Sequence, residues 1–100
     1  MGNEILIVDD EVDIRMLITG ILQDEGYATC DAGDSGSALE MLRQRRPSLV
    51  VLDIWLENSA LDGMEMLSVI KEEAPSIPVV MISGHGNIET AVNAIKLGAY

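Results

Sequence analysis

Ile5-Leu6-Ile7-Val8-Asp9-Asp10 and Leu49-Val50-Val51-Leu52-Asp53 are the two stretches that decide the fold of this chain. Each is a short, mostly β-branched apolar run that ends abruptly on acid. Runs of this kind, bounded by polar residues, predict strands buried on both faces, as in a parallel sheet. Ligands of open parallel sheets bind in the crevice beyond the carboxyl ends of the strands. If the two strands are neighbours, Asp9, Asp10 and Asp53 crowd into that crevice. Left uncompensated, three carboxylates repel one another and raise their own pKa values. A hard divalent cation relieves this, and oxygen ligands suit Mg²⁺.

Working outward, the pattern alternates strand and helix. Residues 4–9 predict the first strand and 11–25 a helix with Ile14, Leu17, Ile18, Ile21 and Leu22 inward. Gly26 stands where a left-handed cap is wanted. Residues 27–32 predict a second strand. Ser35 is a suitable N-cap for a helix to about Arg45, with Ala38, Leu39 and Leu42 inward. Arg43, Arg45 and Arg46 complement its dipole, and Pro47 ends it. Strand 3 spans 49–53 and is central. A loop leads to Asp62-Gly63 and a helix to about Glu73, with Met66, Leu67 and Ile70 inward. Val79–Ile82 makes strand 4, with Pro78 tolerable only at its very start. Asn87 caps a last helix that Gly98 stops. Strands joined by helices imply parallel pairing.

Bulk properties narrow the function. One hundred residues with 48% hydrophobic content fit a single domain, residues 1–100, with a real core. A net charge of −11 argues against direct binding to nucleic acid or anionic membranes. The single cysteine, Cys30, has no internal partner and reads as a buried thiol. No apolar run is long enough to span a bilayer and no signal peptide is seen, so a reducing cytoplasm is the expected compartment.

Each candidate has a plainer reading. Asp10 serves equally as the N-cap of the first helix, with Asp13 in its first turn. Asp53 is harder to explain away, because a long loop rather than a helix follows it. Ser83, at the end of strand 4, is either a turn former or a hydroxyl for an oxyanion. His85, between two glycines, has no second histidine and reads as an exposed turn residue. Met41, Met64, Met66 and Met81 read as core filler. Trp55 covers the loop or meets a partner, and Glu72-Glu73 reads as a solvated helix end.

Taken in order, Ile-Leu-Ile-Val-Asp9-Asp10-Glu, Leu-Val-Val-Leu-Asp53-Ile-Trp, Asp62-Gly63, Val-Val-Met-Ile-Ser83-Gly and Ala-Ile-Lys-Leu-Gly98-Ala99-Tyr100 resemble the receiver domain of two-component response regulators. The stretch Ser83–Val92 is most similar to the NtrX/NtrC nitrogen-regulation branch. The resemblance implies a flavodoxin-like (CheY-like) α/β sheet of order 2-1-3-4. It implies that Asp53 takes a phosphoryl group from a sensor histidine kinase. Asp10, Asp53 and the backbone carbonyl of Trp55 would ligate Mg²⁺, with Asp9 acting mainly through water. Ser83 would bind the phosphoryl group. Phosphoryl transfer asks for positioning and charge neutralisation more than for covalent chemistry by the protein. ATPase and DNA-binding output modules would belong to a longer parent.

Two departures from that family stand out. The loop from Asp53 to Asp62 is longer than usual and lacks a proline. The family's fifth strand, Lys-Pro pair and fifth helix have no counterpart before Tyr100, and neither Lys71 nor Lys96 replaces the missing lysine. On this reading strand 4 is a bare edge and the sheet face beside strands 1 and 3 is partly uncovered, so the chain is expected either to self-associate through strand 4 or that face, or to rearrange its last helix to cover them. Two rival functions remain. One is a phosphatase or transferase with Asp9 as nucleophile, against which stands Asp9-Asp10-Glu11 in place of Asp-x-Asp. The other is an interaction module that works without phosphorylation.

Overall fold

The computed structural model describes residues 4–56 and 59–82. Within them, four strands and three helices alternate: β1 (Glu4–Val8), α1 (Val12–Asp24), β2 (Ala28–Ala32), α2 (Ser35–Arg45), β3 (Leu49–Asp53), α3 (Gly63–Glu73) and β4 (Val79–Ile82). The strands form one parallel sheet in the order β2-β1-β3-β4, as expected. Ser83, His85, the helix expected at 87–97 and its Gly98 stop lie outside the described residues. Among the described residues β4 is an edge strand.

The central strands explain why their sequences are almost wholly apolar. Side chains alternate across a strand, so a strand covered on both faces divides its residues between two cores. Leu6, Val8, Val50 and Leu52 join Ala38 and Leu42 of α2 and Met66 and Ile70 of α3 in one cluster. Ile5, Ile7, Leu49 and Val51 join Ile14, Ile18 and Leu22 of α1 in the other. The sheet therefore lies between α1 on one face and α2 with α3 on the other. Cys30 is buried, as expected.

Several local expectations are corrected. Asp9 stands just beyond β1 because its side chain turns the chain: Oδ1 accepts the Glu11 N–H at 2.9 Å. The N-cap of α1 is Glu11, not Asp10. Leu17 is half exposed, because the buried face of α1 runs through Ile14, Ile18 and Leu22 and Leu17 falls on its flank. The cap of α2 is Asp34 rather than Ser35. The Asp34 carboxylate accepts the Ser37 N–H at 2.8 Å, which releases the Ser35 hydroxyl for another task. Met64 is exposed, whereas Met66 is fully buried. Glu73 is not simply solvated: it takes two hydrogen bonds from Arg43, at 2.7 and 2.9 Å, which clip α2 to α3. Gly26 adopts a φ of 93°, the left-handed conformation expected of it. Arg46 takes the same role after α2 at φ 48°, where a glycine is more usual.

Candidate functional site

The register of β1 against β3 builds the site. Ile5 through Val8 pair with Leu49 through Leu52, so Asp9 and Asp53 follow paired residues on neighbouring parallel strands and emerge side by side. Asp10 follows at once. One carboxylate oxygen from each of the three lies within 4.8 Å of the others. The sequence-level expectation of a three-aspartate crevice is met in the geometry.

The environment is unusual for carboxylates. Asp9 is 4% exposed and Asp53 7%, while Asp10 is half-buried. Burial is the main reason that the Asp9 carboxyl sits above its ordinary range; Asp10 and Glu11 add to the shift, while the Glu11 N–H and Arg15 oppose it. Burial also dominates at Asp53, whose pKa is pushed up to about 6. The Trp55 N–H pulls it back, and the charges of Asp9 and Asp10 raise it further. Such a cluster holds protons or a cation in preference to bare negative charge.

Asp9 and Asp53 share a device. Each uses Oδ1 to accept the backbone N–H two residues ahead, from Glu11 at 2.9 Å and from Trp55 at 3.0 Å. This is an Asx-type turn, and it aims each carboxylate by tying it to its own backbone. Asp53 thus makes a local hydrogen bond although no helix follows it directly. The Trp55 backbone is thereby placed against Asp53, while the residue as a whole is 69% exposed. Ser83 lies outside the described residues.

The neighbouring loop is held from two sides. Asp62 and Glu65 form a reciprocal capping box at the start of α3, with bonds of 2.9 and 3.0 Å. Gly63 packs directly on the backbone carbonyls of Asp53 and Ile54, where no Cβ fits. The motif Asp62-Gly63 is thus a cap and a contact with the end of β3. Ser35, buried at the start of α2, accepts the Leu61 N–H at 3.2 Å, and its own N–H donates to Ser59 Oγ at 2.7 Å. That pair anchors the long β3–α3 loop.

Sequence reasoning missed three of these residues: Arg15, Ser35 in its actual role, and Gly63 as a packing position. A signal existed for Arg15. It is one of only six lysines and arginines and follows the acid pair by five residues. Its guanidinium donates from Nε to Asp31 Oδ2 at 2.8 Å and from Nη1 to the Asp9 carbonyl at 2.7 Å. It is committed to those acceptors rather than aimed at the three carboxylates.

The cluster fits a small divalent metal. Its donors are hard oxygens at close spacing, and among the described residues no ion pair neutralises Asp10 or Asp53.

Residues 5–100 match the response regulator receiver domain family. Nitrogen assimilation regulatory protein NtrX of Azorhizobium caulinodans is 62% identical over 100 residues, which is all of this chain and 22% of that protein. The chain therefore spans about a fifth of that relative's length. Sporulation initiation phosphotransferase F of Bacillus subtilis is 34% identical over 99% of this chain and 78% of its own length. The crystal structure of the receiver domain of NtrX from Brucella abortus superposes with a TM-score of 0.79 at 62% identity, covering 96% of this chain and 80% of that one.

Proposed function

Because this chain belongs to the response regulator receiver domain family, we propose that Asp53 is its phosphoacceptor and that the crevice around it holds Mg²⁺. The observation that carries the proposal is the convergence of Asp9, Asp10 and Asp53 at the ends of two paired strands. Asp10 and Asp53 would ligate the ion directly, the Trp55 carbonyl would add an oxygen, and Asp9 would act mainly through water. When bound, Mg²⁺ supplies neutralisation of the carboxylates and of the incoming phosphoryl oxygens.

The chain's own groups account for the rest. Asp53 Oδ1 is held by the Trp55 N–H, which leaves Oδ2 to attack phosphorus. The new P–O bond forms as the P–N bond of a phosphohistidine donor breaks and its electron pair returns to the imidazole nitrogen. Burial raises the basicity of Asp53, and a more basic carboxylate is a better nucleophile once ionised. Ser83 would hydrogen-bond the transferred group. The β3–α3 loop, anchored by Ser35 and Gly63, keeps the acceptor from turning away.

The donor would be a sensor histidine kinase, and the readout would lie in ATPase and DNA-binding modules of a longer protein concerned with nitrogen regulation. The chain is a signalling domain rather than an enzyme with a turnover substrate of its own. No helix among the described residues is long and apolar enough to cross a membrane. We place the domain in the cytoplasm, beside its kinase. Incubation with acetyl phosphate tests the proposal. Incorporation should require Mg²⁺, disappear in Asp53→Asn and fall sharply in Asp10→Asn. Incorporation that survives both substitutions would refute it.

A further inference from the structure

We propose that Arg15 is a positioning residue for the metal centre, holding the β1–α1 turn so that Asp9 and Asp10 face Asp53. The inference rests on the metal-site reading above. The turn is short, running from Val8 at the end of β1 to Val12 at the start of α1. Its backbone is gripped on both sides of Asp9. The Asp9 N–H donates to the Ala32 carbonyl at 3.2 Å, and the Asp9 carbonyl accepts Arg15 Nη1 at 2.7 Å. Arg15 is itself fixed by Asp31 of β2 through Nε at 2.8 Å, and only 17% of its side chain is exposed. One guanidinium thus joins α1, β2 and the turn that carries two of the three carboxylates.

The geometry separates this role from a charge role. Arg15 spends its fork on a backbone carbonyl and on Asp31, so it orders the turn without entering the crevice. By charge alone, a nearby cation competes with a metal for the acid cluster, and its removal should tighten Mg²⁺ binding. By position, its removal lets the turn relax and should weaken binding. The two roles predict opposite signs. A rigid fork that bonds two acceptors at once is a property of arginine that lysine lacks.

A second handle leaves every charge in place. A Cβ added at Gly33 would fall 2.9 Å from Arg15 Nη1, too close for the guanidinium to stay where it is. The clashing atom is the tip of a flexible side chain, so Gly33→Ala should displace Arg15 rather than unfold the domain.

The test is a titration of the chain with Mg²⁺, followed by the emission of Trp55, the only tryptophan, with circular dichroism to verify folding. Arg15→Ala should weaken Mg²⁺ binding roughly ten-fold, the lower end of what loss of a ligand-orienting partner costs. Arg15→Lys and Gly33→Ala should each weaken it several-fold although the net charge is unchanged. Should Arg15→Ala not fold, Gly33→Ala decides. Folded variants that bind Mg²⁺ as tightly as the parent chain, or more tightly, would overturn the role of Arg15 alone. A parent chain that shows no response to Mg²⁺, by emission or by calorimetry, would overturn the metal site and this role with it.

Discussion

Replacing Asp53 by asparagine should stabilise the metal-free domain, and the gain should depend on pH. The carboxyl is 7% exposed and its pKa is pushed from 3.8 to about 6, first by burial and then, against the opposing Trp55 N–H, by Asp9 and Asp10. A group whose pKa is higher in the folded state binds its proton more tightly there. Its contribution is fully present below the unfolded value and is lost as pH rises through the folded one. A shift of about two units, at about 1.4 kcal/mol each, sets the loss near pH 7 at about 3 kcal/mol. Asparagine keeps an Oδ1 for the Trp55 N–H and never ionises, so it escapes that loss. Urea unfolding in EDTA should find the two chains within about 1 kcal/mol near pH 4 and about 3 kcal/mol apart near pH 7, with the Asp53→Asn variant the more stable. For a domain of this size that gap is roughly 10 °C or more in Tm. Equal stability at pH 7, or a gap that does not close on acidification, would refute the claim that Asp53 is held in a crowded, desolvated crevice.

Other consequences follow from the same geometry. Saturating Mg²⁺ should raise the stability of the parent chain by about 2.7 kcal/mol at a hundred times Kd, and do little for Asp53→Asn or Asp10→Asn in a thermal shift assay. Gly63→Ala should destabilise by about 1–3 kcal/mol, because the carbonyls of Asp53 and Ile54 have no room to yield; denaturant titration measures this, and a neutral result would mean that α3 shifts freely against β3. Ser35→Ala should cost about 1 kcal/mol through the orphaned Leu61 N–H, and faster amide exchange at Leu61 would show that the loop has loosened.

The parts of this structure that were legible in the sequence are those where a local pattern had no competitor. β3, α3 and β4 have the expected bounds, since Pro47, Asp62-Gly63 and Pro78 leave little freedom about where each element starts. The crevice was legible because strand ends in a parallel sheet face one way, so acids that terminate neighbouring strands must meet. What failed was local ambiguity and tertiary reach. Asp34 and Ser35 are both good caps, and nothing nearby in sequence reveals that Ser59 and Leu61 claim the serine. Leu17 lies on the edge of an apolar arc whose width depends on how α1 sits on the sheet. Arg15 and Gly63 act through contacts with distant backbone, which periodicity does not encode.

The most direct test of the account is to locate the phosphoryl group. The protein is treated with acetyl phosphate and Mg²⁺, the acyl phosphate is reduced with borohydride, and the modified residue is found by peptide mass spectrometry. The account predicts reduction at Asp53 only, with none when Mg²⁺ is chelated. Reduction at Asp9 would instead make the chain an aspartate-nucleophile phosphatase or transferase, and would contradict the assignment of Asp53 as the acceptor.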